Sequence, residues 1–143
     1  MEFKVISPET TQELLEAIAE NQGGKYRFGA GYTDLILELN QQTGEDLTVI
    51  NLAGLNDERF TSIKKTDDGI RLGTLVTAGG ITKNRELREQ FPVLWKSAEE
   101  VGSMQIRQVA TVGGNLCNAS PAGDMAAALA ALEARCDILS ADG

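Results

Sequence analysis

Two stretches of the sequence combine glycine with small hydrogen-bonding side chains. The first is Phe28-Gly29-Ala30-Gly31-Tyr32-Thr33-Asp34, between a predicted strand and a predicted helical turn. The second is Thr111-Val112-Gly113-Gly114-Asn115, which leads through Asn118 and Ser120 to Asp124 and an apolar run. Glycine permits positive φ and close approach to the backbone. A bent run of backbone N–H groups can hold a phosphate without any lysine. Hydroxyls at Thr33, Thr111 and Ser120 and amides at Asn115 and Asn118 add neutral donors. The competing reading is two tight turns leading into capped helices. GAGYTD lacks the third glycine of the G-x-G-x-x-G dinucleotide fingerprint, and no acidic residue is well placed at a second strand end. Two such loops in one short chain favour a nucleotide site over turns alone.

The remaining residues exclude much other chemistry. The 143 residues include no histidine, which removes imidazole acid–base catalysis, Ser-His triads and most zinc sites. No catalytic residue and no metal-ligand set is therefore expected. Cys117 and Cys136 form no C-x-x-C pattern and read as buried or loop thiols. Glu99-Glu100 reads as a solvated helix face, Trp95 as core, and Met104 as core or loop cover. Arg107 either pairs with an acidic neighbour or supports its loop. A net charge of -8 opposes binding to nucleic acid or an anionic membrane. No apolar run approaches the ~20 residues of a membrane span. The N-terminal MEFKVISPE lacks a basic-then-apolar targeting pattern, so a cytoplasmic protein is expected.

The elements that must position the loops follow from periodicity. Residues 3–6 read as a strand, and Ser7-Pro8 as an N-cap with proline at the first helical position. Residues 9–20 form an amphipathic helix ended by Gly23-Gly24, residues 26–28 a strand, 35–39 a helical turn and 47–52 a strand. That order favours a small parallel sheet. Strands at 60–65 and 70–75 flank a Thr66-Asp67-Asp68-Gly69 hairpin turn. Helices follow at 77–89 and 93–100, separated by Pro92. Ser120-Pro121 repeats the cap-plus-proline pattern before a helix at 121–134. A strand at 135–139 and a turn at 141–143 close the chain, which reads as part of something longer.

Residues 105–124, QIRQVATVGGNLCNASPAGD, resemble a motif of the flavin-binding domain in molybdenum-containing hydroxylases. That family includes xanthine, carbon monoxide and nicotinate dehydrogenases, and commonly reads QIRN-x-A-T-I-G-G-N-[IL]-x-x-A-S-P-x-x-D. GAGYTDL at 29–35 is similar to its first glycine loop, often A-G-G-T-D-L, and LGTLVTAGGI at 72–81 to a third segment in family order. Tyr32 stands where glycine is frequent, Gln108 replaces the usual asparagine, and Gly123 sits where alanine or serine is common. The resemblance implies an α+β chain with an α/β start, in the two-lobed FAD-binding fold of the vanillyl-alcohol oxidase type. Residues 1–57 would be the small parallel lobe and 58–143 the start of a second, truncated lobe with antiparallel strands and helices.

FAD is the implied cofactor. The two glycine loops would clasp its diphosphate, with Phe28, Gly29, Ala30, Gly31, Tyr32, Thr33 and Asp34 on one side. Thr111, Gly113, Gly114 and Asn115 would lie on the other, while Asn118, Ser120 and Asp124 face the ribityl or phosphate region. Leu35 would pack against flavin or sugar. The implied function is an electron-transfer subunit of a xanthine dehydrogenase-like oxidoreductase. A 2Fe-2S subunit would deliver electrons through FAD to NAD+ or another acceptor, and a molybdopterin-binding subunit would carry out hydroxylation. Residues 1–143 alone are expected to be inactive. Two alternatives stay open: a nicotinamide-dinucleotide-binding domain, and a non-catalytic fragment serving subunit contact.

Overall fold

A computed structural model describes residues 3–41 and 46–140. The chain divides into two compact units. The first runs to Asp57 and takes in the segment from Asp137; the second is Glu58–Cys136.

In the first unit, β1 (Lys4–Ile6), α1 (Thr11–Asn21), β2 (Lys25–Gly29), α2 (Leu35–Gln41) and β3 (Leu47–Asn51) follow one another. The strands form a three-stranded parallel sheet in the order β1-β3-β2. Central β3 is the most enclosed, with Val49 and Ile50 fully buried. Successive strand residues face opposite sides of a sheet. Val49 and Leu47 pack with Leu39 of α2, joined by Leu35 and Tyr32. α1 also packs on β3 and buries Leu14 and Ala17.

The entry to α1 differs from expectation. Ser7-Pro8 does not start the helix; Thr10 is its N-cap, and its side chain accepts from Glu13 N–H at 3.2 Å. Glu13 reaches back to accept from Glu9 N–H at 2.8 Å. Thr10-x-x-Glu13 is thus a variant capping box, a pattern the sequence itself carries. At the other end the C-cap is Gln22, in right-handed conformation, ahead of Gly23-Gly24.

The second unit comprises α3 (Glu58–Thr61), the hairpin β4 (Ile63–Thr66) and β5 (Gly69–Leu72), then α4 (Ala78–Lys83), α5 (Arg85–Gln90), α6 (Pro92–Glu100), α7 (Met104–Arg107), α8 (Val112–Asn118) and α9 (Asp124–Ala131). Thr66 pairs with Gly69, so Asp67-Asp68 is the loop and Gly69 is the first ladder residue, at φ +148°. The expected helix at 77–89 is two helices. Asn84 ends α4 and caps α5, accepting from Leu87 N–H at 2.9 Å. Residues 135–139 form no strand among the described residues. The expected turn at 141–143 lies outside them. Ile81, Leu87, Leu94, Val112 and Met125 centre the core. No helix among the described residues is long and apolar enough to cross a membrane.

α4 and α8 begin with the same device. Thr77-Ala78-Gly79-Gly80 and Thr111-Val112-Gly113-Gly114 each place threonine at the N-cap. Each hydroxyl accepts from the second glycine's N–H at 3.0 Å. The two threonines pair as an antiparallel bridge. Ala78 N–H donates to Ala110 C=O at 2.8 Å, and Val112 N–H to Val76 C=O at 2.9 Å, so the exchange is reciprocal. The first glycine of each pair sits against the opposite segment. A Cβ on Gly79 would come within 2.7 Å of Gln108 Nε2, and one on Gly113 within 2.9 Å of Thr74 Cβ and its carbonyl oxygen.

These contacts separate the glycines. Gly113→Ala is expected to destabilise the fold by about 1–3 kcal/mol through overpacking against backbone. A Cβ on Gly80 would touch only Thr77 Oγ1 at 3.4 Å and Val76 Cγ1 at 3.7 Å. Gly80→Ala is therefore expected to be neutral or to stabilise by up to ~1 kcal/mol through helix propensity. Urea unfolding of both variants measures the difference; equal losses would contradict the assigned packing.

Candidate functional site

The loop after β2 leaves the C-terminal edge of the parallel sheet, where open α/β sheets bind ligands. Gly29, the last residue of β2, is buried, and its carbonyl accepts from Leu52 N–H at 2.7 Å. Beyond it the pairing stops. Among the described residues, the N–H groups of Gly31, Tyr32, Thr33 and Asp34 donate to no protein acceptor. Tyr32 stands at φ +60°, in the left-handed region that favours glycine. Left-handed residues within such runs make the concavities that bind anions.

Tyr32 is held there by its side chain. A Cβ on Gly29 would collide with the Tyr32 ring, so the ring lies directly on the Gly29 backbone. The Tyr32 hydroxyl donates to Asn51 Oδ1 at 2.9 Å. Asn51 Oδ1 also accepts from Ala53 N–H at 3.2 Å, and Asn51 Nδ2 donates to Ser7 Oγ at 3.2 Å. One side-chain network thereby joins the loop after β2 to the ends of β3 and β1. Burial raises the Tyr32 pKa above its ordinary value of 10.0, so the hydroxyl stays a neutral donor.

The other residues of this loop have distinct places. Thr33 Oγ1 donates to Asp34 Oδ2 at 2.9 Å. The Asp34 carbonyl accepts from Leu37 and Glu38 N–H at 3.0 and 3.2 Å, joining the loop to α2. Phe28 is about half exposed and meets Tyr26 edge-on, with ring centroids 5.4 Å apart. Leu35 packs into the Leu39–Leu47–Val49 cluster and belongs to the core of its unit.

The second glycine stretch is not an open loop but the first turn of α8. Val112 N–H donates to Val76 C=O, Gly113 N–H to Thr74 C=O, Gly114 N–H to Thr111 Oγ1 and Asn115 N–H to Thr111 C=O, all at 2.8–3.0 Å. The expectation of free amides here is therefore corrected: these donors serve the helix start and the Thr77–Thr111 crossing. A Cβ on Gly114 would meet Thr111 Oγ1 at 2.9 Å, a clash with its own cap. What this segment offers outward is side chains. Asn115 Oδ1 is buried and has no hydrogen-bond partner, which leaves an acceptor wanting an O–H or N–H donor. Asn118 and Ser120 are exposed around Ala119, which caps α8 at φ +49°. Ser120 does not cap the next helix. Its Oγ accepts from Ala122 N–H at 3.3 Å within a turn, and Gly123 is the N-cap of α9. Asp124, at the first position of α9, sits favourably against the helix dipole.

Several other singled-out residues are structural. Arg107 Nη1 donates to the carbonyls of Val101 and Gly102 at 3.2 and 3.0 Å, supporting the turn after α6. Trp95 is half-buried; its Nε1 donates to Thr82 C=O at 2.9 Å, and the Arg88 guanidinium lies 5.0 Å from its ring centroid. Met104 is exposed rather than core, because the single turn of α7 buries no residue. Lys96 bridges Glu99 and Glu100 on an exposed helix face, and its hydrogen bond lowers the Glu99 pKa. Both cysteines are free and exposed. Among the described residues, no group of three or more His, Cys, Asp or Glu could hold a metal ion.

Each unit offers polar groups of its own. Four free amides suit a diphosphate, and the orphaned Asn115 oxygen suits a hydroxyl donor. The family profile described as "FAD binding domain in molybdopterin dehydrogenase" matches residues 1–143. The nicotinate dehydrogenase FAD-subunit of Eubacterium barkeri is 32% identical over 133 residues, covering 93% of this chain and 44% of the relative. The glyceraldehyde dehydrogenase medium chain of Sulfolobus acidocaldarius is 30% identical over 142 residues, covering 99% and 49%. The chain thus spans about half the length of the curated relatives it matches. Among solved structures, reconstituted CO dehydrogenase from Oligotropha carboxidovorans shares the fold with a TM-score of 0.78 at 19% identity, covering 87% of this chain and 43% of the other. Quinoline 2-oxidoreductase from Pseudomonas putida 86 does so with a TM-score of 0.74 at 21% identity, covering 84% and 41%.

The Tyr32 environment predicts an alkaline effect. A folded-state pKa raised above 10.0 contributes stability that is complete below the unfolded value and lost as pH rises through the folded one. Denaturant titrations at about pH 9 and about pH 11 should show a loss at the higher pH that is smaller in Tyr32→Phe. An identical loss in the variant would remove Tyr32 from the alkaline transition.

Proposed function

The chain belongs to the FAD-binding domain family of molybdopterin dehydrogenases, and from that membership we propose that it is the flavin-holding part of an electron-transfer subunit in a multi-subunit oxidoreductase. The observation that carries the reading is the run of unpaired amides at Gly31, Tyr32, Thr33 and Asp34, beside the end of a parallel sheet. These amides hold the FAD diphosphate. Ala30 belongs to the same strand-to-helix turn, and Gly29 is its buried floor. The side chains of Asn115, Asn118 and Ser120, with Asp124, serve the hydroxyl-bearing part of the cofactor. Thr111, Gly113 and Gly114 act one step back, by fixing the helix that carries Asn115.

Bound FAD supplies two-electron redox chemistry, while the protein supplies binding and orientation. The chain's own task is to hold and shield the cofactor. The partners in this reading are a 2Fe-2S subunit that delivers electrons and a molybdopterin-binding subunit that oxidises the substrate. The acceptor is NAD+ or another soluble carrier. Substrate choice lies outside this chain. Relatives of comparable similarity are named for nicotinate, glyceraldehyde and xanthine, so one fold and one cofactor site accompany different substrates. The absence of histidine from the sequence is compatible with a role that needs no imidazole base.

The test is recombination of the native subunits. The flavin-holding subunit alone should keep FAD after desalting, seen as its visible absorption, and should oxidise neither purines, nicotinate nor aldehydes. Adding the iron–sulfur and molybdenum subunits should give substrate-dependent reduction of the acceptor, followed as NADH formation where the acceptor is NAD+. Substrate oxidation by the isolated subunit would overturn this division of roles.

A further inference from the structure

The Tyr32 side chain does work that the loop backbone cannot do alone. A non-glycine residue at φ +60° is strained and persists only where its surroundings hold it. Two contacts hold this one. The ring rests on the Gly29 backbone, and the hydroxyl donates to Asn51 Oδ1 at 2.9 Å. Asn51 is itself fixed, because Ala53 N–H donates to the same oxygen and Asn51 Nδ2 donates to Ser7 Oγ. The anchor therefore stands on the ends of two neighbouring strands. Unpaired amides lie on both sides of Tyr32, at Gly31 before it and at Thr33 and Asp34 after it, so its conformation sets the curvature of the run.

We propose that Tyr32 is a positioning residue for the diphosphate: its hydroxyl, through Asn51, locks the 31–34 amides in their anion-binding shape. This rests on the flavin reading above. It assigns the phenol no contact with the reacting part of the cofactor. The side chain acts on the diphosphate end alone, so its loss must weaken diphosphate-containing ligands selectively.

The experiment uses the chain in its native assembly, freed of cofactor, with FAD and riboflavin as probes in calorimetric titrations. Riboflavin carries the ring and ribityl chain but no diphosphate. Tyr32→Phe removes one hydroxyl and keeps the ring over Gly29. It should weaken FAD by about three- to tenfold, the scale of one hydrogen bond, and leave riboflavin within about twofold. Asn51→Ala should reproduce the FAD loss, and the double variant should lose little more than either single one, as expected for residues acting as one unit. The melting temperature of Tyr32→Phe is read alongside, since a merely structural role would lower it and weaken both ligands equally. FAD affinity unchanged in Tyr32→Phe, parallel losses of FAD and riboflavin, or additive losses in the double variant would each overturn the inference. Failure of the wild-type assembly to bind FAD would overturn the flavin reading and this inference together.

Discussion

The second unit depends on a crossing of two chain segments, 74–78 and 110–113, whose backbones exchange hydrogen bonds around the Thr77–Thr111 bridge. Each segment then turns directly into a helix capped by its own threonine. The crossing can be this close at Gly113 only because that residue carries no Cβ, which would collide with Thr74 and its carbonyl oxygen, whereas a Cβ on Gly79 would meet the Arg107 carbonyl at 3.0 Å and the movable end of the Gln108 side chain. Ala78, Thr111 and Val112 are buried at the centre of the exchange, so no water can replace a lost partner there. α4 and α8, and through them the side chains of Asn115 and Asn118, take their positions from this one contact. The Thr-x-Gly-Gly repeat is thus a folding device used twice, and a ligand is not needed to account for either copy.

The two glycine stretches look alike in sequence and differ in their amide bookkeeping. At 112–115 every N–H has a protein acceptor. At 31–34 none does among the described residues. Unpaired amides satisfied by water carry little penalty, but they remain available, and a helix or sheet amide does not. Capacity for an anion therefore follows the free amides rather than the glycines. Glycine at 29 and 113 answers to packing, while the one left-handed residue of the first loop is a tyrosine.

Much of this was legible in the sequence where a local pattern dictates a local outcome. Alternating and helical periodicity located β3, α1 and α6, and the Asp67-Asp68-Gly69 signal located the hairpin, though one residue out of register. The two Ser-Pro pairs misled in the same way. Proline disfavours right-handed helix at the residue before it, and at both sites the cap lies three residues after the serine, at Thr10 and Gly123. The state of the Val112 and Gly113 amides was not legible, because their acceptors, the carbonyls of Val76 and Thr74, are more than thirty residues away in the chain. The reading of 135–139 as a strand failed for a related reason. Its residues have strand character, but a strand exists only with a partner, and periodicity names none. The Tyr32–Asn51–Ser7 network joins three loops through side chains, and no spacing rule foretells it.

Electrostatics restrict how the first loop can work. The chain carries a net charge of -8, so it offers an anion no long-range attraction. Attraction must come from partial charges on amides, which act over a few ångströms and depend on orientation. Asp34 adds a carboxylate beside them, yet that carboxylate accepts the Thr33 hydroxyl proton and precedes the first turn of α2, where negative charge is favourable. A threonine hydroxyl has one proton to donate, so in this arrangement Thr33 directs it to Asp34 and offers a phosphate only its backbone. The amides therefore carry the interaction, and the shape of the run decides its strength. In a lysine-lined site a degree of misplacement would be tolerated, because charge attraction falls slowly with distance. Here a small rotation of one peptide would turn a donor away, which is why the fold invests a ring, a hydroxyl and an asparagine in holding Tyr32 in an unfavourable conformation.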